Sequence, residues 1–69
     1  MKKWIVSDPE HLGGAPCVRD TRISVALILE SLAAGISVEQ IADAYPSLTL
    51  ESIYGALSEL ARQLEFKAA

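Results

Sequence analysis

Arg19 and Arg22 flank an Asp-Thr pair in the stretch LGGAPCVRDTRIS, residues 12–24. A guanidinium is a planar fork that grips phosphate or carboxylate through two parallel hydrogen bonds. Presented on a rigid β arm, two such groups could hold DNA phosphates, or the acidic residues at a nuclease's metal site. The competing reading is internal: pairing with Asp8, Asp20 or a helix C-terminus would merely lock the arm, and structural ion pairs use the same residue types. Lys2 and Lys3 add positive charge nearby, and Thr21 adds a hydroxyl. Arg19, Thr21, Arg22, Lys2 and Lys3 are therefore the candidates for contact with DNA or a protein partner.

Other constellations carry less. A glycine-rich loop that cradles phosphate needs a following helix N-terminus and a lysine. Ala15-Pro16 supplies neither, so Gly13, Gly14 and Pro16 read as a structural turn. Asp8, Glu10 and His11 offer at most three ligands in a segment whose Asp-Pro pair favours a turn, and no metal is expected. Cys17, the single cysteine, forms no internal disulfide. With no histidine oriented towards it, it reads as a small buried hydrophobe rather than a nucleophile. No carboxylate pair is arranged for hydrolysis. The expectation is a protein without catalytic residues or cofactor.

A chain of 69 residues makes one domain, residues 1–69. Such a chain hides only about 60% of its unfolded surface, so its stability is marginal without disulfides, metals or a partner. The first two are excluded by one cysteine and one histidine, which leaves association, with a homodimer the expected form. At 51% hydrophobic residues and net charge −3 the composition is that of an ordered globular protein. Trp4-Ile5-Val6 is too short for the apolar core of a secretory signal. The apolar tract at residues 23–36 is interrupted by Ser24, Glu30, Ser31 and Gly35, so no membrane span is expected. A cytoplasmic protein follows, in keeping with an unpaired thiol.

The elements that must position the arginines are short. Residues 4–6 suit a strand, ended by Ser7-Asp8-Pro9. Residues 16–19 and 21–23 are predicted to form the two arms of a hairpin turning at Asp20, with Cys17 and Arg19 on one side and Val18 on the other. Ser24 caps a helix over 25–34 that Gly35 stops. Its apolar stripe of Val25, Ile28, Leu29 and Leu32 is widened by Leu27 and Ala34. Ser37 and Gln40 form a capping box for a second helix carrying Val38, Ile41, Ala42 and Tyr45, ended by Pro46. Thr49 caps a third, on which Leu50, Ile53, Leu57, Leu60 and Leu64 recur at spacings of three and four. The fold class is mainly α: short N-terminal β strands in an arm (1–23), then a three-helix, helix-turn-helix-like bundle (24–69).

Were the third helix a recognition helix, its first exposed residues would be Glu51, Ser52, Tyr54 and Gly55. None is basic, and two copies carrying −6 are a poor start for counterion-release binding. DNA contact would come from Lys2, Lys3, Arg19 and Arg22 instead. Leu27 and Tyr54 are the candidates for protein interfaces.

The run Asp8-Pro9, Leu12-Gly13-Gly14, Pro16, Val18-Arg19, Thr21-Arg22-Ile23 and Val25 resembles the signature of domain-of-unknown-function family 433. The likeness continues through Leu32-Ala33-Ala34-Gly35, Ser37, Ile41, Tyr45-Pro46, Leu48-Thr49, Ile53 and Ala56-Leu57. It implies a short β element before a homeodomain-like helical bundle. It also implies an antitoxin of VapB type that dimerises, silences a PIN-like ribonuclease toxin and, with it, binds operator DNA. Three positions depart from the signature: Ala15 replaces a lysine, Asp20 a glycine and Ser24 a proline. The first two lower the loop's basic character.

Charge distribution fits such a partner. Residues 1–23 set Lys2, Lys3, Arg19 and Arg22 against Asp8, Glu10 and Asp20, a balance of +1. Residues 24–69 set Arg62 and Lys67 against six carboxylates, a balance of −4. An acidic helical surface would be steered to the basic RNA path of a ribonuclease. The expected function is an antitoxin of a toxin–antitoxin pair. The alternatives are a small DNA-binding regulator and an interaction module without a toxin.

Overall fold

The computed structural model describes residues 3–10 and 12–65. Its elements are β1 (Ile5–Val6), β2 (Cys17–Val18), α1 (Val25–Ala33), α2 (Val38–Ala44) and α3 (Leu50–Glu65). A short 3-10 turn over Leu12–Gly14 links the two strands, and Gly13 and Gly14 both take positive φ there (64° and 88°), as the glycine pair predicts.

The strands are antiparallel, with Ile5 opposite Val18 and Val6 opposite Cys17. This corrects the predicted hairpin: the partner of β2 is β1, and residues 21–23 are not its second strand. A tight turn closes directly after β2 instead. Thr21 donates both its N–H (3.1 Å) and its hydroxyl (2.8 Å) to the Val18 carbonyl, and Asp20 sits at φ 65°. Too little chain then remains before α1 for a strand. What survives of that arm is a Cys17–Ser24 bridge, with Val18 N–H to Ile23 O and Val25 N–H to Pro16 O, both 2.9 Å. Flanked on both edges, β2 buries Cys17 and Val18 alike, so the expected alternation between an inner and an outer side does not hold.

The helices begin and end where the sequence marks them. Ser24 Oγ accepts the Leu27 N–H at 3.0 Å. Ser37 and Gln40 exchange hydrogen bonds of 3.1 and 2.9 Å, the full capping box. Thr49 and Ser52 make the same reciprocal pair, at 3.0 and 2.9 Å, for α3. After α1 the chain turns through Gly35 at φ 92°. Ile36 N–H reaches Ser31 O and Gly35 N–H reaches Leu32 O, both at 3.0 Å, which is a Schellman closure.

Ile28, Ile41, Ile53 and Val18 form the innermost layer, with Ile5, Val25, Leu48 and Ala56 around them. The strand pair thus packs on the bundle through one residue of each strand. Three residues assigned to apolar stripes face outward: Leu29, Leu50 and Leu64 are 41%, 43% and 63% exposed. No helix among the described residues is long and apolar enough to cross a membrane.

A non-glycine residue in the left-handed region is strained even when it is aspartate. Asp20→Gly is expected to stabilise the domain by about 0.5–1 kcal/mol, a rise of a few degrees in Tm. Thermal unfolding followed by circular dichroism checks this. The Arg19–Asp20 ion pair lost in the variant has a 3.7 Å separation and an aspartate side chain 88% exposed, so it offsets little.

Candidate functional site

The N-terminal arm is held to α3 by a buried acid. Glu59, only 9% exposed, accepts the N–H of Trp4 at one carboxylate oxygen and the N–H of Ile5, at 3.2 Å, at the other. Burial of a carboxylate is tolerable only where donors replace its water, and the start of β1 supplies two. Beside it, the Trp4 indole rests on α3 at Gly55, where an added Cβ would lie 2.3 Å from two indole atoms. Glycine at 55 is therefore a condition of the docking.

Arg19 completes this cluster. Its guanidinium carbon lies 4.4 Å from the centroid of the Trp4 ring, Nη1 donates to the Lys3 carbonyl at 2.8 Å, and Nε is 3.7 Å from Asp20. Of the two readings open to Arg19, the geometry matches the internal one, with Trp4 and the Lys3 carbonyl as its principal partners rather than Asp8 or a helix terminus. Thr21 is likewise engaged locally: beyond its bonds to Val18, its hydroxyl accepts the Ile23 N–H at 3.1 Å. Lys3 is exposed. Lys2 lies outside the described residues.

Arg22 is exposed and lines an open cleft of about 640 Å³ together with Asp8, Asp20, Thr21, Ser47 and the buried Cys17. Two carboxylates share that lining with one guanidinium, so the cleft is not an anion trap. Asp8 is turned inward to its own loop, accepting the Glu10 N–H at 3.0 Å. Cys17 Sγ contacts the Ala15 carbonyl at 3.4 Å. Among the described residues no three histidine, cysteine or acidic side chains are grouped to hold a metal ion; His11 lies outside them. A second groove, about 560 Å³, runs between the arm, α1 and α3, with Val6, Pro16, Ala26, Leu29 and Leu60 in its walls.

Of the four α3 residues expected to lead into a DNA groove, two are covered. Ser52 is buried at the helix cap and Gly55 lies half-buried under Trp4, leaving Glu51 and Tyr54 exposed. Leu27 is half-buried on α1. Sequence reasoning missed the Trp4–Gly55–Glu59 cluster. Its signal was the register of Glu59, three residues after Ala56 and six after Ile53, on the core face of α3.

Trp4 is the chain's only tryptophan, so its emission reports on the arm. Gly55→Ala is expected to displace the indole, with a red-shifted emission and a loss of about 1–2 kcal/mol, the overpacking penalty less the gain in helix propensity. Glu59→Gln keeps one acceptor oxygen for two donors and is expected to cost about 1–3 kcal/mol. Fluorescence and denaturant titration measure both.

Comparison with known proteins places this geometry. The chain is 49% identical over 52 residues to the uncharacterized protein y4eO of Sinorhizobium fredii, a match that covers 75% of this chain and 24% of that protein. A crystal structure of a DUF433 member protein from Anabaena variabilis superposes with a TM-score of 0.79 at 26% identity, covering 96% of this chain and 64% of that one. The chain thus spans about a quarter of the first relative and under two thirds of the second. Residues 5–58 match the family described as Protein of unknown function (DUF433). With both strands, the glycine turn, α1, α2 and the first nine residues of α3 inside that match, the chain belongs to the DUF433 family.

Proposed function

We propose that this domain is a protein-binding module that acts in the cytoplasm as the antitoxin of a toxin–antitoxin pair, occupying the basic RNA path of a PIN-like ribonuclease. The observation that carries the reading is the acidic surface formed by α1, α2 and the first turn of α3. Between Arg22 and Arg62 the sequence has no lysine or arginine, while Glu30, Glu39, Asp43 and Glu51 are all exposed. Such a surface raises the encounter rate with a basic partner and repels nucleic acid. Operator binding by the arm has less support, because Arg19 is committed to Trp4 and the Lys3 carbonyl, and the Arg22 cleft carries two acids.

The test is co-expression with the product of the adjacent reading frame. Co-purification and rescue of growth are expected; absence of both removes the reading. Glu39→Lys combined with Asp43→Lys, two exposed positions on α2, is expected to slow association about tenfold or more at low salt and to matter little at high salt. Stopped-flow association measured across ionic strength resolves this.

A further inference from the structure

We infer that the outer face of α3 is a seam for a second copy of this chain, packed antiparallel about Leu57. Leu50, Tyr54, Leu57, Ala61 and Leu64 follow one another at spacings of four, three, four and three. At 100° per residue they fall within an arc of about 80°, and a strict 3.5-residue repeat is the pattern of a coiled-coil seam. Leu57 is half-buried against the rim of the core, and the rest of the arc lies outside the core face. Ser52, Ile53, Ala56 and Glu59 point into the bundle, whereas Leu50, Tyr54 and Leu64 are 43%, 52% and 63% exposed and Ala61 is exposed as well.

The occupant follows from size and charge. An antiparallel two-fold at Leu57 sets Leu50 against the second copy's Leu64, and brings Tyr54, the largest residue of the seam, within one residue's rise (about 1.5 Å) of the smallest, Ala61. The same operation brings the acid of the first turn, Glu51, to within about 1.5 Å along the axis of the base of the last turn, Arg62, once on each side of the axis. Both are exposed on the same flank of the seam. A parallel pair would bring neither match and would align the helix dipoles unfavourably. The arm lies next to that flank, with Trp4 on Gly55, and the opposite flank adjoins the core through Ile53 and Leu60. The seam spans only about 21 Å, two heptads, fewer than the three or four that mark a free-standing coiled coil. The pair is therefore a concentration-dependent dimer. This inference needs no toxin and stands or falls apart from the antitoxin reading.

Sedimentation velocity on the purified full chain tests it. The wild type is expected to pass from monomer to dimer over micromolar concentrations. Tyr54→Lys and, separately, Leu64→Lys are expected to weaken the dimer at least about tenfold, with helicity by circular dichroism unchanged. Glu51→Arg alone weakens it; Glu51→Arg with Arg62→Glu restores it to within about threefold of wild type. A wild type that stays monomeric at hundreds of micromolar overturns the proposal. So does a dimer indifferent to both lysine variants, or a charge swap that fails to restore association.

Discussion

Where an N-terminal strand of two residues meets a helix, its backbone donors have to end somewhere. In this protein they end on one carboxylate: Glu59 receives the Trp4 and Ile5 N–H groups. A hydrogen bond to a charged acceptor is worth about 1.5–3 kcal/mol, against about 1 for a neutral pair. The two together are a sizeable part of what a domain of this size has to spend on staying folded. A two-stranded sheet is at best marginal on its own, and β1 has no second strand on its outer edge among the described residues. Glu59 stands in for one. It also closes to other chains an edge that would otherwise invite pairing.

The rest of the arm depends on that anchorage. With the start of β1 fixed on α3, Trp4 lies over Gly55 and offers its ring to Arg19, whose guanidinium also reaches the Lys3 carbonyl. Ile5 opposes Val18, the strand residue most deeply set in the core. Arg19 thus does for the arm what the absent disulfide or metal does in other small domains: it ties two chain segments sixteen residues apart. Arg19 keeps 30% of its side chain exposed, and a cation over an indole at such a site is worth about 0.5–1 kcal/mol. The same contact engages Arg19 within the arm, so its guanidinium already has partners in the folded chain.

The helical half was readable because its signals are local. Ser24, Ser37 and Thr49 cap helices through side chains three residues from the groups they satisfy, and Gly35 ends α1 by its own backbone freedom. The arm was less readable because its partners lie far off in the chain. Nothing local announces that Glu59 bonds a strand more than fifty residues earlier, or that β2 pairs with β1 rather than with the residues after Asp20. Thr21 illustrates the difficulty. Its hydroxyl looked free for a ligand, yet a threonine next to a left-handed residue has a carbonyl three residues back within reach, and it bonds there. Leu50 and Leu64 fit a stripe by spacing, but a helix of sixteen residues is longer than the core it packs against, so its end residues emerge.

α3 is accordingly divided into three strips. One faces α1 and α2 through Ile53 and Ala56, one carries the arm at Gly55 and Glu59, and one is the exposed apolar seam. An isolated domain gains little from the exposed apolar side chains of that strip, and a small chain with nine buried apolar residues among those described has little stability to spare. The exposed acids of the helices lie on α1, α2 and the first turn of α3, so the seam and the charged surface share only Glu51. Apolar contact between copies and electrostatic attraction to a basic partner can then operate on one molecule at once. On the two proposals above, the seam would set how many copies come together, and the acidic surface what they meet.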